Sequence, residues 1–538
     1  MKKILKCNII NAMKNKTMKR ASILLMYIWM LFPIYSQNKT NAWGDQGNGT
    51  YINPILNSDY SDPDVIRVGE KYYMVASDFH FIGMQILESN DMINWKLVAQ
   101  LYDKFNFPEW EQNSRYAGGS WAPSLRYHDN KYWVFFCTPQ EGLFMTNAEN
   151  PKGPWTPLVH VEKVARWEDP CPFWDDDGTA YLGRSILGAG PIIIHKMSPD
   201  GTKLLDEGRT VYTGPIAEGT KIHKKDGYYY LSIPEGGVDK GWQTMLRSKS
   251  IYGPYEKKVV LEQGSTSING PHQGAMVETS KGEWFFYHFQ QYNPLGRVVH
   301  LQPMYWENGW PVIGIDIDMN GIGEPVYVWR KPDLPEAPIE APVTNDEFNK
   351  DELGLQWQFN HNPRNEGWSL KRHKGMITFK TYQAENFKKA RNTLTQKTIG
   401  YRGVATLKMH FKEMVDGQRC GLACMGRKNW LIGVHQRGNK RYIYLENSDN
   451  IVVQQPIKDN AIYLRMEADV ISNRYQLSYS NNNKDYKTLG NPFSMKGAYW
   501  KGVRIAMYGY NLLKDNGCVS FASFEYEHDG PKAIGNRN

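Results

Sequence analysis

The chain has only six cysteines in 538 residues, and none has the neighbouring Cys or His spacing that would hold zinc. Cys420 and Cys424 lie four apart in a strand-like run, roughly 13 Å at the strand rise and too far to bridge. Buried free thiols are therefore expected at Cys137, Cys171, Cys420, Cys424 and Cys518. Few runs fit a long amphipathic helix, which argues against a helical bundle. The one long apolar run, ASILLMYIWMLFPIY, follows seven basic residues between Lys2 and Arg20 with no acid among them. A basic segment before a short apolar one reads as a secretory signal rather than a membrane span. We place cleavage near Ser36, with Met18 as an alternative start, and expect a secreted or periplasmic protein with no stable membrane insertion afterwards. Without residues 1–36 the formal charge falls from +8 to about +1, so no basic excess points to a nucleic-acid partner.

What the chain does contain is Trp, Tyr, Val and Ile in short alternating segments, with 41% hydrophobic and 13% aromatic residues. This composition is that of a folded, all-β protein. One arrangement recurs: SDPDVIRVGEKYYMVAS around Asp62, WAPSLRYHDNKYWVFFC from Trp121, EDPCPFWDDDGTAYLGRS around Asp169, EGTKIHKKDGYYYLSIPEGG from Glu218, and HQGAMVETSKGEWFFYHF from His272. Each copy has a head residue, a short β run, a turn with Gly, Asp or Asn, and an aromatic-rich β run. The heads repeat at about 50 residues, the length of a propeller blade, and predict a five-bladed β-propeller over residues 51–331. Equivalent positions then face one axis, so Asp62, Asp169 and Glu218 should converge. The run Asp175-Asp176-Asp177 sits before Gly178 and reads as a hairpin turn.

Pro332, Pro335, Pro338 and Pro342 mark a semi-rigid linker over 332–344. The 50-residue repeat stops there. Many short alternating strands over about 180 residues then predict a separate β-sandwich, 345–530. Residues 37–50 are polar and read as a loose lead-in.

Three carboxylates around one axis are costly unless they serve chemistry. Glycoside hydrolysis uses one carboxylic acid to protonate the leaving oxygen and one carboxylate to activate water or attack carbon, and a third can hold the acid's proton by repulsion. The motifs themselves, Asp62-Pro63, Trp121-Ala122-Pro123, Asp169 in EDPCPFWDDDG, Glu218-Gly219, and His272 followed by Arg297, resemble glycoside hydrolase family 43 over about residues 51–330. The later region resembles the concanavalin-like jelly-roll domain beside β-xylosidases of that family. The resemblance implies an inverting enzyme acting on terminal xylose or arabinofuranose of an oligosaccharide or polysaccharide. It implies Asp62 as general base, Glu218 as general acid and Asp169 as the residue that tunes and orients Glu218. Phe79, Trp121 and Ala122 would line the sugar subsite, and Arg297 would hold sugar hydroxyls. His272 resembles a histidine at the axis that in some members helps bind calcium through water; no cofactor is otherwise required. Inversion predicts a base-to-acid separation of roughly 6.5–9.5 Å.

Two rivals stay in view. A retaining five-bladed fructosidase pairs an Asn-Asp-Pro-Asn-Gly context with a Glu-Cys motif, and neither is present. A non-catalytic propeller lectin would repeat its site on each blade, whereas the heads here differ. The choice between α-L-arabinofuranoside and β-D-xyloside stays open, because both pentoses present similar hydroxyls.

Overall fold

The computed structural model describes residues 42–112 and 114–531, so the expected signal segment lies outside the described residues. Five four-stranded antiparallel sheets follow one another, each running in chain order. The first comprises Ser61–Val68, Lys71–Ser77, Gln85–Ser89 and Lys96–Gln100; the second Trp121–His128, Lys131–Thr138, Gly142–Ala148 and Val159–Glu162. The third comprises Trp167–Trp174, Ala180–Ile186, Ile192–Met197 and Arg209–Tyr212; the fourth Lys221–Lys225, Tyr228–Glu235, Trp242–Ser248 and Glu256–Leu261. His272–Glu278, Trp284–Tyr292, Gly296–Glu307 and Trp310–Ile313 form the fifth. Asp226 and Gly227 both take positive φ, 51° and 71°, as a two-residue hairpin turn requires.

The aromatic run after each head has a direct packing purpose. Successive side chains of a strand point to opposite faces, so each sheet packs against a neighbour on both sides. Met74 faces the fifth sheet while Val75 faces the second. Val134 and Phe136 pack on the first sheet while Phe135 packs on the third. Tyr229 joins the core shared with the third sheet, and Tyr230 the core shared with the fifth. The ring closes where Ala275, Val277 and Tyr287 meet Val65, Tyr72 and Met74. A short strand at Thr50–Ile52 pairs with Gly44–Asp45 and with Val328–Arg330, tying the two ends of this region together.

The lead-in is therefore not loose where it is described. Trp43 is buried in the sandwich core, and buried Asp45 pairs with Lys331 at 2.6 Å. A single tryptophan and a carboxylate within a polar stretch carry that anchoring, which composition averages away.

Residues 332–344 contain neither strand nor helix and run along the surface, with Glu340 N–H donating to Asn94 at 3.0 Å. Beyond them two sheets stack around a core that includes Leu407, Leu422, Ile443, Leu464, Met507 and Phe524. One sheet has Gln418–Met425 between Trp430–Arg437 and Arg504–Asn511; the other has Arg402–His410 between Ala461–Asp469 and Cys518–His528. Cys420 and Cys424 are buried and free in the same strand, as the spacing predicted.

The sandwich lies directly against the first sheet. Asp78 accepts from Lys397 at 3.2 Å and from Arg504 at 3.4 Å, all three buried. Lys501 Nζ reaches Asp59 at 3.0 Å and the Ser77 carbonyl at 2.9 Å. Gly502 makes this approach possible, since a Cβ there would stand 1.8 Å from the Leu295 carbonyl oxygen.

Candidate active site

The strand register explains how the heads reach one place. In the first, second and third sheets the opening strand slips by a bulge, between Ser61 and Asp64, Trp121 and Ser124, and Glu168 and Cys171; in the fifth it slips between His272 and Gly274. Left-handed φ occurs at Asp62 (54°), Asp169 (55°), Gly219 (57°) and Gln273 (57°). A bulge of this kind re-aims side chains at a sheet end. Asp62 and Asp169 occupy the kink itself, whereas Glu218 and His272 stand one residue before it. Gly219 is required at its kink, because a Cβ there would lie 2.6 Å from Pro234 and 3.1 Å from Gln273.

Asp62 is held from three sides. Its Oδ1 accepts from Arg297 at 2.7 Å, and its Oδ2 accepts from the hydroxyls of Ser61 at 2.8 Å and Ser77 at 2.5 Å. A carboxylate oxygen offers about two lone-pair sites. Both on Oδ2 are used and one on Oδ1 is left. The Arg297 guanidinium sits 4.6 Å over the Phe289 ring and also donates to Ser61 at 2.8 Å. The resemblance implied that Arg297 holds sugar hydroxyls; in this structure it clamps Asp62.

Asp169 Oδ2 accepts the Gly219 backbone N–H at 2.6 Å, which ties it to the residue beside Glu218. Burial and the Asp62 charge raise Asp169 to about 6, against the opposing Gly219 N–H, Lys221 and Arg297. Glu218 is pushed up to about 8, first by burial and then by the Asp169 charge, with Arg297 opposing and Asp62 adding. At neutral pH the pocket thus holds an ion-paired Asp62, an ionised Asp169 and a protonated Glu218.

A fourth carboxyl was missed in the sequence. Glu168 is only 4% exposed, and its carboxyl, that of Asp169 and that of Glu218 lie within 4.8 Å of one another. Glu168 pairs across from Ser185 as Ser61 pairs with Ser77, so it stands in its sheet one residue before the kink, as Glu218 does in the next. The signal was present as two consecutive acids at one head, EDP, of which only the second was read as facing inward.

The apolar wall is built from both domains. Phe79, 2% exposed, meets Trp121 edge-on at 5.4 Å, and Trp121 Nε1 donates to the Ala117 carbonyl at 2.7 Å. Ala122, next in the strand, is buried. Trp500, at the tip of a sandwich turn and 52% exposed, meets Trp121 at 6.1 Å, and Tyr499 packs on Tyr116 at 4.6 Å. No pattern in the sequence pointed to Tyr499 or Trp500.

His272 is buried. Its Nδ1 contacts the Gly270 carbonyl at 2.6 Å and its Nε2 has no protein partner. Burial lowers it to about 4, so the ring is neutral and the free nitrogen suits a water, as a hydrated cation would require.

Residues 51–311 match the family described as Glycosyl hydrolases family 43, and residues 345–527 match the Beta xylosidase C-terminal Concanavalin A-like domain. The chain is 52% identical over 473 residues to a Xylanibacter ruminicola protein named "Putative beta-xylosidase", covering 88% of this chain and 89% of that protein. It is 30% identical over 437 residues to "Non-reducing end alpha-L-arabinofuranosidase BoGH43B" of Bacteroides ovatus, covering 76% and 78%. A solved structure titled "Bifunctional GH43-CE Bacteroides eggerthii" aligns with a TM-score of 0.79 and 30% identity over 88% of this chain and 63% of its own.

Proposed function

From the premise that the chain belongs to glycosyl hydrolase family 43 and is a glycoside hydrolase acting on carbohydrate, we propose an exported, exo-acting, inverting enzyme. It releases a terminal α-L-arabinofuranose or β-D-xylose from hemicellulose side chains or oligosaccharides. The observation that carries this reading is the contrast between the surroundings of two carboxyls in one site. Asp62 is an ion-paired carboxylate with a lone pair to spare, while Glu218 keeps its proton at neutral pH. Environments that separate neighbouring carboxyls in this way assign a base and an acid.

In the reaction, water on Asp62 Oδ1 loses its proton to that oxygen as it attacks the anomeric carbon. Glu218 gives its proton to the departing glycosidic oxygen, and one displacement inverts the anomeric centre. Asp169 supplies the negative charge that holds the Glu218 proton, and its bond to Gly219 N–H fixes the distance. Trp121, Phe79 and Trp500 provide the apolar surface for the sugar faces. The relatives named for xylosidase and arabinofuranosidase support a pentose in either ring form. The basic and apolar residues 2–35 support export. A calcium ion at the axis, approached by His272 through water, belongs to the same reading. Adding calcium to chelated protein should raise the unfolding temperature of wild type but not of His272→Ala; superimposed curves would remove the metal.

The test is hydrolysis of aryl α-L-arabinofuranoside and aryl β-D-xyloside, with Glu218→Gln as control and proton NMR of the first sugar anomer released. Release of the anomer opposite to the substrate's supports the single displacement. Retention, or no hydrolysis of either glycoside by folded protein, overturns the reading.

A further inference from the structure

We infer that Lys501, a residue of the sandwich, is a positioning residue for the base: paired with Asp59, it fixes two of the groups that grip Asp62, so the reaction centre is complete only with the second domain in place. The inference rests on the base role assigned to Asp62 above.

Asp62 takes a left-handed φ of 54°, a conformation that a non-glycine residue keeps only where its surroundings impose it. Its carboxylate is gripped by the Ser77 hydroxyl at 2.5 Å, the Ser61 hydroxyl at 2.8 Å and the Arg297 guanidinium at 2.7 Å. Two of these grips lead back to one buried ion pair. Lys501 Nζ donates to the Ser77 carbonyl at 2.9 Å and meets Asp59 Oδ2 at 3.0 Å. Asp59 Oδ1 accepts the Arg297 backbone N–H at 3.0 Å, and its Oδ2 also accepts the Gly502 N–H at 3.0 Å. Ser77 ends a strand of the first sheet and Arg297 begins one of the fifth. The pair is therefore anchored on both sheets at which the ring closes, directly behind the base.

A contact that only held two domains together could stand anywhere on their interface, and Asp78 with Lys397 and Arg504 already serves there. Lys501 differs in what it touches. The side chains of the pair are 1% and 2% exposed, and a lysine so buried is kept only where its donors are matched. Its ammonium also lies 5.4 Å from the centre of the Phe79 ring on the apolar wall. Lys501 acts on the base through the backbone of Ser77 and, by way of Asp59, through that of Arg297. Attack requires water and carboxylate to be aligned, and a misplacement of ~1 Å can cost about a hundredfold in rate.

The experiment is Lys501→Met in the full chain, which keeps the length of the side chain and removes its donors. It is assayed on dinitrophenyl and methoxyphenyl glycosides of the pentose that wild type hydrolyses. On both, kcat and kcat/KM should fall together, by about tenfold or more, with KM kept within about threefold. The loss should be alike on the two glycosides, because every turnover needs the base, whereas dinitrophenolate departs with little help from an acid. Glu218→Gln, run alongside, should lose far less on the dinitrophenyl glycoside than on the methoxyphenyl one. A smaller loss in folded Lys501→Met, a loss confined to KM, or one that follows the leaving group as in Glu218→Gln overturns the inference. Should Lys501→Met fail to fold, Asp59→Asn breaks the pair from the propeller side and should give the same pattern; the same three results there are equally fatal. Asp62→Asn separates the two levels. If it retains wild-type activity, the base assignment has failed rather than the role of Lys501.

Discussion

The sharpest consequence of the pocket concerns Asp169→Asn. The new amide carbonyl can still accept the Gly219 N–H, so the substitution removes charge and little shape. Asp169 and Glu218 present oxygens within 4.8 Å of each other. At an effective dielectric constant near 20, two unit charges at that distance repel by about 3 kcal/mol, or roughly two pH units. Without that charge, the alkaline limb set by Glu218 at about 8 should fall to about 6. At pH 7 the protonated fraction of Glu218 then drops from ~0.9 to ~0.1, a loss of about ninefold from protonation alone. Lowering the pH toward 5 should recover that part, and whatever loss remains reports misorientation of the acid. The assay is kcat/KM for an aryl pentoside between pH 4.5 and 9.5. An alkaline limb that stays put in a folded Asp169→Asn enzyme would refute the repulsion argument.

Other outcomes follow from the same contacts. Asp62→Asn keeps an acceptor for Ser61 and Ser77 but cannot take a proton from water and leaves buried Arg297 without its ion-pair partner; activity should fall at least ~10³-fold in folded protein, with a lowered unfolding temperature, and a fall under tenfold would remove Asp62 as base. Glu168 is raised in the folded state to about 9, above its ordinary value near 4.3. The folded protein is therefore favoured at acid pH and loses that advantage as pH climbs through 9. Calorimetry should find Glu168→Gln melting above wild type at pH 9 to 10, with no such gain near pH 4, and equal melting at pH 9 to 10 would contradict the raised value. Asp78→Ala strands Arg504 as a buried cation and removes the charge that keeps Lys397 protonated, which should cost about 3 to 5 kcal/mol. Denaturant unfolding that loses under 1 kcal/mol would show that this ion cluster does not hold the sandwich to the first sheet.

Much of this protein was legible in the chain because strand physics is local. Alternation, turn dipeptides such as Asp226-Gly227 and the head residues recur at a period set by four strands, so the repeat and its heads could be read without coordinates. The prolines of 332–344 and the loss of the repeat after them are likewise properties of short windows. The convergence of Asp62, Asp169 and Glu218 followed once equivalent positions were assumed to share an axis.

What the tertiary structure decided depends on distances between residues far apart in sequence. Which of two adjacent acids faces the pocket is set by a one-residue bulge, and Glu168 and Asp169 both do. Arg297 reaches Asp62 only because the fifth sheet closes on the first. Trp500 meets Trp121, and Lys501 reaches the Ser77 carbonyl, only because Gly502 lets the sandwich backbone press against Leu295. The proton on Glu218 belongs to this level too: a glutamate before a glycine is an ordinary acid in the chain, and burial beside Asp169 makes it hold its proton at neutral pH.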